Sequence, residues 1–182
     1  GFFFDQRKPA MPNYAYMGKG IVTLKEGAGA ARDIGNVASL AFNINENKIN
    51  LPNYRTAGGG NYSSVTRIES VEVTMTLNDL SPENLAMVLF GTSTVVSEVA
   101  TIEALTTGAK EFQMVFAGVN EAATGKTVTV TVHRLKVGAA QGLNLIGDEF
   151  AAMEITGEVL LDTSITTEGL SQFFKVEMDT IA

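Results

Sequence analysis

The run from Ser70 to Leu77 constrains this chain more than any other stretch. Val71, Val73, Met75 and Leu77 alternate with Glu72, Thr74 and Thr76, which is the period of a strand with one buried face. The period then changes. Ser81 is suited to cap the amides of a first helical turn, Pro82 falls where a missing N–H costs nothing, and Glu83 favours the positive end of the helix dipole. Leu85, Val88 and Leu89 follow at i, i+3 and i+4, and Gly91 is expected to supply the left-handed stop. The pattern predicts a long strand delivering into one helix of about two to three turns. The apolar stripe of that helix needs the chain's own sheet to cover it.

Elsewhere the strand period recurs. It is present at Lys19–Leu24, at Asn36–Asn47 with Leu40, Phe42 and Ile44 on one side, at Glu111–Phe116, and at Thr127–His133. After Val132 the apolar phase switches to Leu135 and Val137, which predicts a bulge between them. Glu149–Leu161 reads as a long strand with a possible bend at Gly157, and Gln172–Met178 as a last strand, whereas Ser93–Glu98 has no decided period. Some seven to nine strands against one helix predict a mainly β fold: an antiparallel β-sandwich or partly closed barrel with one flanking α-helix. The 182 residues suit one domain, residues 18–182, preceded by an N-terminal arm, residues 1–17. Phe2-Phe3-Phe4 is followed at once by Asp5, Arg7 and Lys8, too short and too polar for a signal peptide. Residues 1–10 are assigned no role, with processing or cloning as open origins.

Residues 48–66 carry no period. They hold the triplet Gly58-Gly59-Gly60, Arg55, and two tyrosines, Tyr54 and Tyr62, among small polar residues. The segment reads as a long structureless connection, which is uncommon inside a compact domain and usually functional. It is either a mobile surface loop or a loop that orders between subunits, with the tyrosines as contact residues.

The chemistry-bearing residues point away from catalysis. The chain has no cysteine and one histidine, His133, so thiolate metal sites, disulfides and cysteine nucleophiles are excluded, and a histidine-led site would lack spaced partners. Gly125-Lys126-Thr127 resembles the end of a phosphate-binding loop, but it enters a Thr/Val strand rather than a helix and reads as a hairpin turn. Glu154 and Glu158 fall on one strand face about 13 Å apart, wider than glycosidase carboxylate pairs. Asp148-Glu149 and Asp179 show no calcium-loop register, and Asn61-Tyr62-Ser63 is a glycosylation pattern with no sign of secretion beside it. The net charge of −7 opposes tight binding to nucleic-acid phosphates, and no apolar run is long enough to span a membrane as a helix. The expectation is a non-enzymatic assembly protein without cofactor or metal. A hydrolase on a β scaffold, with acids converging on His133, is the less favoured alternative.

The segment Leu77-Asn78-Asp79-Leu80-Ser81-Pro82-Glu83-Asn84-Leu85-Ala86-Met87-Val88-Leu89-Phe90-Gly91, following its alternating strand, resembles the tail tube proteins of long-tailed bacteriophages. Gly18–Leu24, the region Asn50–Ser64 and the late β region through Met178 extend the resemblance in order over about residues 11–182. The resemblance implies a virion tail protein, assembled in the host cytoplasm. Six subunits would close into a ring, and rings would stack into a hollow tube that conducts DNA without binding it specifically. It also implies partners: further copies of the chain, and tail proteins such as the tape measure, the terminator and the initiator. Six copies at −7 bring −42 formal charges to each ring. Glu72, Glu154 and Glu158 are the candidates for a lumen-facing set that repels phosphate. The secretion-tube relatives of this fold, or another self-assembling β protein, are the alternative within the same class.

Overall fold

A computed structural model describes residues 11–123 and 125–181. Residues 1–10 of the expected arm, with Phe2-Phe3-Phe4, lie outside the described residues. The remainder of the arm, 11–17, leads into β1 (Gly18–Lys25), followed by the two-residue β2 (Arg32–Asp33), β3 (Val37–Pro52) and β4 (Asn61–Leu77). The helix α1 (Pro82–Val88) comes next, then the hairpin of β5 (Thr92–Val96) and β6 (Val99–Glu103). The chain continues through β7 (Glu111–Asn120), β8 (Lys126–Val137), β9 (Met153–Val159) and β10 (Phe174–Met178). The fold is mainly β with one helix, a β-sandwich as expected.

One large antiparallel sheet runs β2-β1-β7-β8-β9-β4-β3, with β10 also paired to β8. β7 pairs with β8 along most of its length, so β10 and β9 share the opposite edge of β8: β10 along Val128–Val132, and β9 along Leu135–Val137. Between the two partners lies the expected bulge. Met114 is opposite Val132 and Phe112 opposite Leu135, so β8 spends one extra residue there, and both Val132 and Leu135 are fully buried despite opposite parity. The extra residue keeps apolar side chains of β8 on the core side both before and after the change of phase. A single core gathers Val22 and Leu24 of β1, Val71 to Leu77 of β4, Met114 of β7, and Met153 and Ile155 of β9. Phe42 of β3 stacks on Phe174 of β10 with ring centroids 4.8 Å apart, which ties the two layers where no ladder does.

The helix forms as its signals require. Ser81 is the N-cap and its hydroxyl accepts from the Asn84 N–H at 3.2 Å, Pro82 opens the first turn, and Glu83 lies within it. Val88 is fully buried, while Leu85 and Leu89 are half-buried against the core. Ala86 and Met87 are buried as well. The stop differs from expectation: Phe90, at φ 50°, takes the left-handed position, and the Gly91 N–H donates to the Ala86 carbonyl at 2.8 Å. Gly91 is required for another reason. A Cβ there would collide with the Glu103 carbonyl at the end of β6.

Three further expectations are corrected. The structureless loop over residues 48–66 is instead a continuation of the β3–β4 hairpin: Lys48 pairs with Thr66, Ile49 with Val65, Asn50 with Ser64 and Leu51 with Ser63, leaving 53–60 as the tip. Solvent reaches both faces of these strands, so no apolar/polar alternation marks them. The strand expected over Glu149–Leu161 is only Met153–Val159, because its partner β4 ends at Leu77, opposite Met153, and residues before 153 have no ladder to join. Finally, Gly157 makes no bend. The β4–β9 register is unbroken from Glu72 to Leu77, and the missing side chain instead admits Leu135, whose Cδ1 lies 2.7 Å from where a Cβ would stand.

Candidate functional site

Past the bulge at Glu69, the β3–β4 hairpin leaves the core and continues as an arm. From Glu46 to Pro52 on one strand and Asn61 to Ile68 on the other, every residue is exposed. At the rise of a strand this is an arm of about 20 to 25 Å. Among the described residues β3 is the last strand of the sheet and pairs only with β4. Ile49 and Val65, directly opposite, share one side of the arm with Leu51, and each is about half exposed. Tyr62 is the extra residue of a bulge between the Leu51–Ser63 and Pro52–Asn61 pairs, and Tyr54 is 83% exposed at the tip. The tip closes on itself. Asn53 N–H donates to the Gly60 carbonyl at 2.8 Å, Arg55 N–H to Asn53 Oδ1 at 2.9 Å, and Asn53 Nδ2 to Thr56 Oγ1 at 2.8 Å. Of the glycine triplet, Gly59 and Gly60 take φ 73° and 86°, while Gly58 has no such requirement. The tip candidates Tyr54, Arg55, Gly58, Gly59, Gly60 and Tyr62 therefore sit together at the end of an ordered arm.

The three acidic candidates also come together. Glu72 of β4 stands directly opposite Glu158 of β9, Glu158 is opposite Lys136 of β8, and Glu154 faces Thr76. All lie on the sheet face that turns away from the core, with Thr74 and Thr156 between them. Like charges directly opposite cost stability in a sheet, and Lys136 opposite Glu158 offsets part of that cost. Lys136 flanks the Glu72–Glu158 pair on one side only.

His133 lies in the β8 bulge, where its backbone N–H donates to the Phe173 carbonyl at 3.2 Å. Its neighbour Arg134 grips the Glu111 carboxylate with Nε and Nη2, at 3.2 and 3.0 Å, and donates to the Leu161 carbonyl at 2.8 Å. Both members of that pair are partly exposed, so it contributes little to stability. Gly125, at φ 79°, turns the chain into β8 as a hairpin turn does. Among the described residues no three His, Asp or Glu side chains converge as metal ligands would. Among them too, no helix is long and apolar enough to cross a membrane.

Two asparagines that sequence reasoning passed over organise the ends of the sandwich. Asn84, fully buried, donates to the carbonyls of Ile34 and Asp79 at 2.9 Å each and accepts from Arg32 Nη1 at 2.6 Å. The signal was available: Asn84 precedes Val88 by one helical turn, on the stripe that goes inward. Burial lowers the Arg32 guanidinium from its ordinary value, opposed by the nearby Glu83 carboxylate. Asn120 donates to the Ala15 carbonyl at 3.0 Å and accepts from the amides of Met17 and Ala122 at 3.0 and 3.1 Å, which docks the entry to β1 on the β7–β8 turn. The Tyr14 hydroxyl likewise takes the Ile181 N–H at 2.8 Å and donates to its carbonyl at 3.2 Å. Asp179 accepts from the Thr127 amide and hydroxyl at 3.0 and 3.1 Å, which holds its carboxyl below the usual carboxylate range. Asp162 is lowered in the same way by the hydroxyl and amide of Ser164.

No curated protein matches the chain. A family profile matches it over residues 15–100 and 96–177, nearly the whole of the described fold. The chain thus belongs to the family described as protein of unknown function UCP028589.

Proposed function

We propose that this chain is the structural subunit of a hollow tube: copies close into hexameric rings, the rings stack, and the tube of a phage tail conducts DNA along its bore. The observation that carries the reading is the β3–β4 arm. A hairpin of this length, exposed on both faces and bearing Ile49, Leu51 and Val65 on one side, is covered by none of the described residues. Exposed strand edges and apolar stripes of this kind are satisfied by a neighbouring chain or become a liability. A second copy satisfies the arm of every subunit in turn, and repeated contacts of that type generate rings or filaments. The outward face holding Glu72, Glu154 and Glu158 supports a lumen, because three carboxylates against the one cation of Lys136 leave the wall net negative, which repels phosphate and limits adhesion during passage.

The test is electron microscopy of the concentrated protein beside an Ile49→Asp/Val65→Asp variant, whose changes lie outside the core. Hollow rods or rings are expected from the unaltered chain, with dispersed and normally folded subunits from the variant. Rods of equal number and length from the variant, or solid fibrils from the unaltered chain, would sink the proposal.

A further inference from the structure

Between the first residues of β1 and the start of β3 lies a groove of about 510 Å³ floored by Val22, Leu40, Phe42, Phe116, Val128 and Val130. Lys19 is the one charged residue among those lining it, in a chain whose net charge is −7. Among the described residues β1 meets β2 only at Thr23 and Leu24, so none of them adds a strand along the Gly18–Ile21 edge, and none adds one along the outer edge of β3. The groove is therefore the open flank of the sandwich.

Elsewhere on the molecule, the connection from β8 to β9 is tied down at both ends. Ala140 and Gln141 donate to the carbonyls of Val88 and Glu154 at 3.0 and 3.2 Å, and the Ala151 carbonyl accepts from Asn78 Nδ2 at 3.2 Å. Leu143 is half-buried against the core, so the free excursion is residues 144–150, which can reach about 12 Å out and back. Leu145, Ile146 and Phe150 stand open on it, the last two each 97% exposed. Between the apolar anchors sit Asp148 and Glu149, and residues 142–150 include no Lys or Arg.

We propose that residues 144–150 of one copy occupy the β1–β3 groove of a second copy, Ile146 and Phe150 on its apolar floor and the Asp148–Glu149 pair against Lys19. The match of charge favours this occupant: an acidic segment with apolar anchors meets an apolar groove whose only charge is positive. The two surfaces belong to different parts of the fold, so a head-to-tail contact between them closes a ring or propagates from copy to copy. It rests on the tube reading in needing several copies, and it names a contact separate from the arm.

The chain has no cysteine of its own, so introduced pairs report cleanly. A Lys19→Cys chain mixed with an Asp148→Cys chain and oxidised should give a disulfide-linked dimer. The yield should be about tenfold above that of Lys19→Cys with Glu98→Cys, a factor that one buried apolar anchor carries. Adding Ile146→Asp and Phe150→Asp to the Asp148→Cys chain should remove the product. Equal yields for the two mixtures would overturn the pairing. So would a Lys19→Cys/Asp148→Cys chain that links to itself at a yield independent of concentration, since the segment would then close its own groove. Hollow rods without the specific cross-link would overturn this contact and leave the tube standing, whereas the cross-link with no rods would support the contact and count against the tube.

Discussion

Replacing Asn84 with Ala removes the amide that fastens the helix to the β2–β3 connection and to the exit of β4. Three hydrogen bonds go at once: two donated to the carbonyls of Ile34 and Asp79, and one accepted from Arg32. A neutral bond contributes about 0.5–1.5 kcal/mol net, a charged one about 1.5–3, and a buried group left without a partner costs more than the bond itself was worth. Ile34 is 1% exposed, so its carbonyl has little water to turn to. The Arg32 guanidinium is only half-buried and can rehydrate, so its share belongs at the low end. The expected loss is about 3–4 kcal/mol, a large part of the roughly 5–15 kcal/mol that holds a domain together. In urea unfolding at dilute protein concentration the midpoint should fall while the slope stays constant. Asn84→Asp should not recover the loss, because it sets carboxylate oxygens against two carbonyls. A double-mutant cycle with Arg32→Met should show coupling of about 1 kcal/mol or more. A loss below about 1 kcal/mol for Asn84→Ala, or a strictly additive cycle, would refute the view that this network anchors the helix.

The other predictions are narrower. Gly157→Ala should cost about 1–3 kcal/mol by overpacking, since the new methyl meets Leu135, and shortening that partner in Leu135→Ala/Gly157→Ala should make the two changes markedly less than additive in urea unfolding. Val88→Ala, at a fully buried position, should cost about 2 kcal/mol, and Leu85→Ala, half-buried, should cost less per carbon removed; the same midpoints rank them. The carboxyl of Asp179 is depressed in the fold, so its contribution is complete above the unfolded value of about 3.9 and disappears as pH falls through the lower folded value. Asp179→Asn should therefore be less stable than the unaltered chain at neutral pH, with the gap closing only below about pH 4; a gap that widens on acidification would contradict the assignment.

What the sequence made legible follows from what its patterns measure. Alternation reports a strand with one dry face, and it located β4, β8 and the bulge between Val132 and Leu135 because each sits against the core. The same signal is silent for Lys48–Pro52 and Asn61–Thr66, where both faces are wet, and an ordered arm was read as a loop. The cap at Ser81 was legible because its chemistry is local. The stop was not, since Phe90 takes the left-handed turn and Gly91 is fixed by the distant Glu103 carbonyl. Gly157 misled for the same reason: its need arises from Leu135, a contact between strands that only the register reveals. Of the site candidates, Glu72, Glu154 and Glu158 were placed on exposed faces by parity alone, but that Glu72 faces Glu158 depends on β4 pairing with β9, which no single-chain pattern encodes.

Because β10 and β9 divide one edge of β8 between them, the sandwich has a fixed order of completion during synthesis. β8 and β9 leave the ribosome before β10, and until Phe174–Met178 emerges the flank of Val128–Val132 has no cover and Phe42 no ring to rest on. A nascent chain halted before residue 174 would display a valine-rich strand flank of the kind that recruits other chains indiscriminately. Correct folding then depends on the last strand arriving before a stranger does, which makes this short segment the gatekeeper of folding over aggregation.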